Sequence, residues 1–252
     1  ITLPGDTPRE GHLHMTTQAI REITQIFERL GFTRVRHPEV ECEWYAFETL
    51  RVGPDHPARD NWETFFMRAA ADGKMGKMIL TPHTTNGDVR EMERGQLPIR
   101  MMNVNKTYRR QSDVSHVPIF HQFEGLLVDE GVTITDLKGL FDHFAKEYFG
   151  PDRVTRLRPH NFRFTEPSFE VDITCGLCLA KGCKMCKEGW VELGGAGMLH
   201  PDVLRAGGVD PEKYSALAFG WGVERTASMK GGVNISDLRV MYKGDVRFLE
   251  QF

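Results

Sequence analysis

The sequence predicts an α+β protein, an antiparallel β-sheet flanked by helices rather than a run of alternating βαβ units. Three observations carry this. Strand-like stretches dominate the middle of the chain, and the clear helices stand before and between them. Residues 106–129 read as two strands joined by a polar loop, an antiparallel hairpin. No internal repeat and no low-complexity linker divides the 252 residues, so a single domain over 1–252 is expected.

Residues 1–14 form an extended lead-in with Pro4, Gly5 and Pro8, expected to be a linker from a region N-terminal to Ile1. A helix over 16–30 is capped by Thr16 or Thr17, striped by Ile20, Ile23, Phe27 and Leu30, and ended by Gly31. Residues 32–40 read as a strand interrupted by Pro38, and proline confines such a strand to an edge or interface. A short helix over 41–50 and a turn-rich loop over 53–61 follow. After a polar strand end at 80–85, residues 86–95 form a helix capped by Thr85 or Asn86, and 99–104 form a strand. The clearest helix spans 135–149. Leu137, Leu140, Phe141, Phe144 and Tyr148 share one face, Thr135 caps it, and Gly150-Pro151 stops it. Strands are expected at 154–159, 168–174, 190–193 and 214–220, and helices at 223–229 and 236–241.

Composition narrows the class. With 40% apolar and 27% charged residues the chain is globular and soluble. A net charge of −3 leaves no overall basic signature, so nucleic acid would have to be met by a local patch. No apolar run reaches membrane-spanning length and no signal peptide opens the chain, which points to a cytoplasmic protein without a membrane partner.

The hairpin is the stretch richest in chemistry. Its return limb alternates, so Phe120, Gln122 and Glu124 share one side, with Arg109 on the partner strand nearby. A fixed cation beside an aromatic plate suits a nucleotide, whose phosphate and base they would grip and stack. Taken alone, the same residues fit a solvated surface hairpin equally well. Cys175, Cys178, Cys183 and Cys186 form two C-x2-C pairs, a pattern for a structural four-thiolate zinc site; an iron–sulfur cluster is the lesser alternative. The lone Cys42 reads as a buried, inert thiol. His83-Thr84-Thr85 sits at a strand end and reads first as a helix cap. Phe162 and Phe164 share one strand face, as core packing or as walls of an aromatic pocket. Gly220-Trp221-Gly222-Val223-Glu224-Arg225 is a strand–glycine–helix junction, which taken alone reads first as a tight turn with a solvated arginine and second as a place where a ligand can approach the backbone.

Together these segments resemble the class II aminoacyl-tRNA synthetases. The proline-bearing helix–strand, the arginine hairpin Tyr108-Arg109…Phe120 and the final Gly-x-Gly-x-Glu-Arg are similar to that class's three motifs. Within it, the α-chain family of bacterial phenylalanyl-tRNA synthetases is the nearest match. Its likeness runs through His56-Pro57-Ala58-Arg59-Asp60, Phe120 to Gly125, Phe162 to Pro167, Gly194 to Pro201 and Ala218 to Arg225, covering nearly the whole chain in order.

The resemblance implies a class II catalytic fold with a zinc-knuckle insertion at 175–186, and a two-step ligase reaction. Phenylalanine is activated by ATP, with magnesium, and then moved to the 3′-terminal adenosine of tRNA-Phe. Arg109 and Arg225 would clamp the ATP phosphates, His116 would hold pyrophosphate and Phe120 would stack adenine. His83, Thr85, Gln122 and Glu124 would hold the amino-acid head group. Phe162 and Phe164 would meet the substrate ring, Ala218 and Gly220 would shape the pocket floor, and Glu192 would bind magnesium. Gln111 stands where the class usually has an acid for the adenine amino group; its amide oxygen can still accept. Asp88 stands where many relatives carry glutamine, and its role is open. The resemblance also implies a β subunit as partner and a homodimer contact through motif one. A sibling synthetase for another amino acid and a non-catalytic interaction module are the alternatives.

Overall fold

The computed structural model describes residues 5, 11–60, 63–112, 117–184, 186–230, 235 and 237–251. Helix α1 (Met15–Glu28) buries Ile23, Ile26 and Phe27 on one face. Its cap is the His14 side chain, which accepts from the Thr16 N–H, rather than a threonine. The strand expected over 32–40 is two strands in different sheets, β1 (Thr33–Val35) and β2 (Val40–Cys42), with Pro38 in the break. Proline has no N–H for a ladder, so the chain changes sheets there. The helix expected over 41–50 is α2 (Glu43–Ala46) and a 3-10 turn at Glu48–Leu50. Strand β3 (Met78–Leu80) pairs antiparallel with β2 as a small two-stranded sheet, and α3 (Asn86–Met92) follows it.

The main sheet has seven strands in the order β1, β4 (Ile99–Tyr108), β5 (Ile119–Asp129), β9 (Ser215–Gly222), β8 (Trp190–Leu199), β7 (Thr165–Thr174) and β6 (Thr155–His160). All pairs are antiparallel except β1–β4, which is parallel. Strand β8 runs past Leu193 through the glycines that looked like a break. They stay in the strand because a Cβ would lie 2.5 Å from the Trp221 Cβ at Gly194 and 2.5 Å from the Pro167 carbonyl oxygen at Gly197. Glycine here marks close approach, not a turn.

Helices α1, α4 (Ile134–Phe149) and α6 (Val223–Ser228) pack against the sheet over an aromatic core. Phe27 stacks on Phe219 at 5.3 Å, and Phe123 meets Trp221 edge to face at 5.0 Å. Such pairs add about 0.5–1.5 kcal/mol each beyond their area burial. A second apolar cluster lies between the sheet, α2, α3 and α5 (Pro201–Ala206), a helix the sequence reading did not contain. The chain ends in a 3-10 turn at Leu238–Tyr242, where a helix over 236–241 was expected, and in α7 (Val246–Leu249).

The cap of α4 is Thr133, not Thr135. Thr133 Oγ1 accepts from the Asp136 N–H, and the Asp136 carboxylate accepts from the Thr133 N–H at 2.8 Å, a reciprocal capping box. Chemical denaturation should therefore show Thr133→Ala costing about 1 kcal/mol and Thr135→Ala a few tenths. Equal losses at the two positions would contradict the assignment.

Candidate active site

Strand register builds the site. Asn103 of β4, Glu124 of β5, Gly220 of β9 and Gly195 of β8 are successive cross-strand partners, so they form one row on one face. Alternation along β5 sends Phe123 into the aromatic core and turns Gln122 and Glu124 to the other side. Glu124 is only 2% exposed. Its Oε2 accepts from Thr84 Oγ1 at 2.9 Å, Thr85 Oγ1 at 3.1 Å and Gln122 Nε2 at 3.2 Å. Gly220 leaves the room for this: a Cβ there would stand 2.6 Å from the same oxygen. Burial pushes the Glu124 carboxyl up to about 7, against the pull of the three hydrogen bonds.

Two neutral acceptors stand beside it. Gln122 turns its NH2 to Glu124, so its Oε1 is the other atom, buried and without a partner among the described residues. Burial, and then the Arg109 guanidinium, holds the His83 imidazole down at about 4. Its Nε2 lies 3.0 Å from the Ala46 carbonyl oxygen, which can only accept, so the proton sits on Nε2. Nδ1 is then an acceptor, also buried and without a partner among the described residues. His83, Gln122 and Glu124 line one cavity of about 280 Å³ with Phe162, Phe164 and Ala218. Three acceptors, one of them a carboxylate, match the three donors of a primary ammonium.

Phe162 and Phe164 lie in the turn before β7, not on a strand. Their rings stack at 5.7 Å with planes 15° apart, and the turn is tied by Ser168 Oγ, which accepts from the Phe162 N–H at 3.1 Å. Ala218, 2% exposed, and Gly220 close the same cavity.

A second cavity, about 310 Å³, shares Arg109, Gln122, Phe162 and Gly220 with the first. Arg109 is anchored by its Nε, which donates to the Pro82 carbonyl at 3.0 Å, and its guanidinium lies 5.2 Å from the Phe120 ring centre. Arg225, in α6, faces the cavity half-exposed, 3.8 Å from Glu192. Two cations, a phenyl plate and several glycines in one lining suit a polyphosphate and a planar base. His116 lies outside the described residues.

The chain matches the family described as tRNA synthetases class II core domain (F) over residues 1–252. It belongs to that family. Curated relatives named phenylalanine–tRNA ligase alpha subunit are 47% identical in Caldanaerobacter subterraneus and 49% identical in Geobacter metallireducens, each match covering 100% of this chain and 72% of the relative. A solved pyrrolysyl-tRNA synthetase from Desulfitobacterium hafniense superposes with a TM-score of 0.65 at 17% identity, over 91% of this chain and 73% of that one. At that identity the likeness is one of fold.

Several contacts around the candidate site were missed by sequence reasoning. Glu63, from the loop before β3, accepts from Gln111 Nε2 at 2.9 Å, which sets a carboxylate beside Gln111. The contact joins residues far apart in the chain, so no spacing could reveal it. Thr84 holds Glu124 as closely as Thr85 does. Glu224, 2% exposed, accepts from the His121 N–H and lies 2.8 Å from His121 Nδ1. It also accepts from the Tyr242 hydroxyl, so it ties the end of the chain to β5. Asp88 is fully buried and neither carboxylate oxygen has a hydrogen-bond partner among the described residues. Burial, then Glu124 and Glu91, pushes its carboxyl well above the usual carboxylate range.

The four paired cysteines come together at the β7–β8 tip with all their sulfurs within 4.8 Å of one another. Three of the sulfur pairs stand at 3.9, 3.4 and 3.4 Å. A tetrahedron with metal–sulfur bonds of about 2.3 Å has edges of about 3.8 Å, so these residues fit a metal ion. Metal analysis of the purified synthetase should find about one tightly held ion per chain at this site, as one four-thiolate cluster requires. Chelation should loosen the hairpin to protease; a metal-free chain with the same protease resistance would contradict this.

Proposed function

We propose that this synthetase is the catalytic chain of a phenylalanine–tRNA ligase. The observation that carries the reading is the pair of adjoining cavities with Arg109 between them. One has three ammonium acceptors at its head and two phenyl rings in its wall; the other has two arginines and Phe120. Relatives of that name at 45–49% identity support the same substrate.

In this reading Glu124, Gln122 and His83 fix the ammonium of phenylalanine, with Thr84 and Thr85 holding Glu124 in place. The substrate ring lies against Phe162 and Phe164 over Ala218 and Gly220. The substrate carboxylate then points at the shared wall, where its oxygen attacks the α-phosphorus of ATP. Arg109 and Arg225 balance the charge that grows on the phosphoryl oxygens as pyrophosphate leaves, and Phe120 with Gln111 and Glu63 places the adenine. The 2′-hydroxyl of the terminal tRNA adenosine next attacks the activated carbonyl and releases AMP. A third cavity of about 440 Å³, bordered by His56, Arg109, Phe162 and Phe164, gives the acceptor end a place beside the activated carbonyl.

Magnesium would be held by Glu192 and the ATP phosphates, the kind of shared site that ion favours, and would offset phosphate charge. Zinc is the ion assigned to the four thiolates, where it would stiffen the hairpin. A β subunit as partner, and a homodimer contact through α1 with β1 and β2, belong to the same reading.

Pyrophosphate exchange with a panel of amino acids tests it. Phenylalanine should drive exchange, and exchange driven by another amino acid alone would sink the proposal. Arg225→Ala should keep its circular dichroism and lose exchange by about 10²–10³-fold, as for removal of one transition-state donor.

A further inference from the structure

Arg153 stands outside the two cavities, just before β6, and it is a buried cation without an anion. Only 5% of it is exposed, and its Nε has no hydrogen-bond partner among the described residues. The carboxylates nearby are engaged elsewhere. Asp142 is taken by Lys138 and Thr155, Asp172 by Arg156 and Arg158, and Glu147 is exposed and approaches Arg29 at 3.6 Å. The guanidinium lies 5.1 Å from the Phe149 ring centre. A guanidinium keeps its proton at any working pH, so it cannot escape burial by becoming neutral. A ring face recovers only part of the hydration that a buried cation gives up.

Sheet register shows what the cation faces. Strands β6 and β7 pair from Thr155 and Ile173 onward. The ladder also runs one step the other way. The Thr174 N–H donates to the Val154 carbonyl at 3.0 Å, and the Val154 N–H to Thr174 Oγ1 at 3.1 Å. One further step in the same register sets Arg153 opposite Cys175. Cys175 is fully buried, and its sulfur is one of the four that lie within 4.8 Å of one another. The guanidinium leans on the next residue of the knuckle. A Cβ at Gly176 would stand 2.6 Å from Arg153 Nη1 and 3.3 Å from its Cζ, and the three nearest atoms it would meet all belong to Arg153. Gly176 is not among the glycines with positive φ. What this glycine provides is therefore a seat for the cation, not a turn.

Four thiolates leave two negative charges uncancelled on a divalent ion, and here one of the sulfurs is wholly out of water. We propose that Arg153 is the counter-charge of the four-thiolate site, a cation seated on Gly176 that offsets part of the thiolates' surplus and so strengthens the hold on the ion without touching it. Each side supplies what the other lacks. The loaded site gives the buried guanidinium its anion, and the guanidinium lowers the cost of gathering four thiolates. The end of α4, through Phe149, and the start of β6 are thereby joined to the metal along with β7 and β8. This rests on the four-cysteine metal site assigned above.

Zinc competition against a chromophoric chelator tests it, on the whole chain with zinc as the probe. Arg153→Gln removes the charge and keeps a polar side chain. Its zinc affinity should fall by about 10–100-fold, the usual effect of losing a group that supports the ligands of a metal. Arg153→Lys keeps the charge and should stay close to the wild type, a rescue that a mere packing role would not show. Gly176→Ala is the second variant should Arg153→Gln not fold. It drives the guanidinium from its seat, leaves all four cysteines in place and should also weaken zinc binding. Wild-type zinc affinity in Arg153→Gln or in Gly176→Ala overturns the inference. So does an Arg153→Lys chain that loses as much as Arg153→Gln, because shape and not charge would then matter. A wild-type chain that takes up no zinc would instead remove the site itself, and the inference with it.

Discussion

The site depends on keeping one carboxylate, Glu124, almost completely out of water. An isolated buried charge costs several kcal/mol, so it survives only if donors are aimed at it and a cation arrives. Three donors converge on one oxygen, from Thr84, Thr85 and Gln122. They come from two different segments of the chain, with a third making the room. The threonines are set by the turn into α3, Gln122 by alternation along β5, and the space for all of them by Gly220 on β9. The seven-stranded sheet is the frame that brings these segments to one row, and the aromatic core on its other face fixes the register. A one-residue slip of β5 would turn Glu124 into the phenyl cluster.

The second organising group is Arg109. It is the cation shared by both main cavities, and its anchor on the Pro82 carbonyl belongs to the same strand–helix junction that presents His83 and the threonines. In the proposed reading, ammonium recognition and phosphate recognition would therefore be mechanically joined through residues 82–85. Arg225 is different in kind. It is half-exposed, its one ion pair among the described residues is the 3.8 Å approach to Glu192, and a ligand that brings its own negative charge could draw it in.

Local features of this architecture were legible in the sequence. The hairpin, the face shared by Phe120, Gln122 and Glu124, the helix of α4 and the four-cysteine knuckles all rest on spacing, and spacing survives folding. What could not be read depends on contacts across the chain. Glu63 meets Gln111 only because a loop folds over the hairpin. The glycines of β8 imitate a turn in sequence, whereas their reason is the closeness of Trp221 and Phe162. The α4 cap was expected at Thr135, whereas the reciprocal capping box forms two residues earlier, between Thr133 and Asp136. Burial is the least visible quantity of all: nothing in the letters distinguishes Asp88, with no hydrogen-bond partner, from a solvated aspartate.

The central claim is that the buried Glu124 carboxylate is the charge that selects the amino-acid ammonium. The most direct measurement is steady-state exchange by Glu124→Gln, which keeps the side-chain length and removes the charge. Loss of one partner of a buried ion pair costs about 3–5 kcal/mol, so kcat/KM for phenylalanine should fall by about 10²–10⁴-fold while the KM for ATP holds. A Glu124→Gln enzyme with wild-type kcat/KM for phenylalanine would contradict the account.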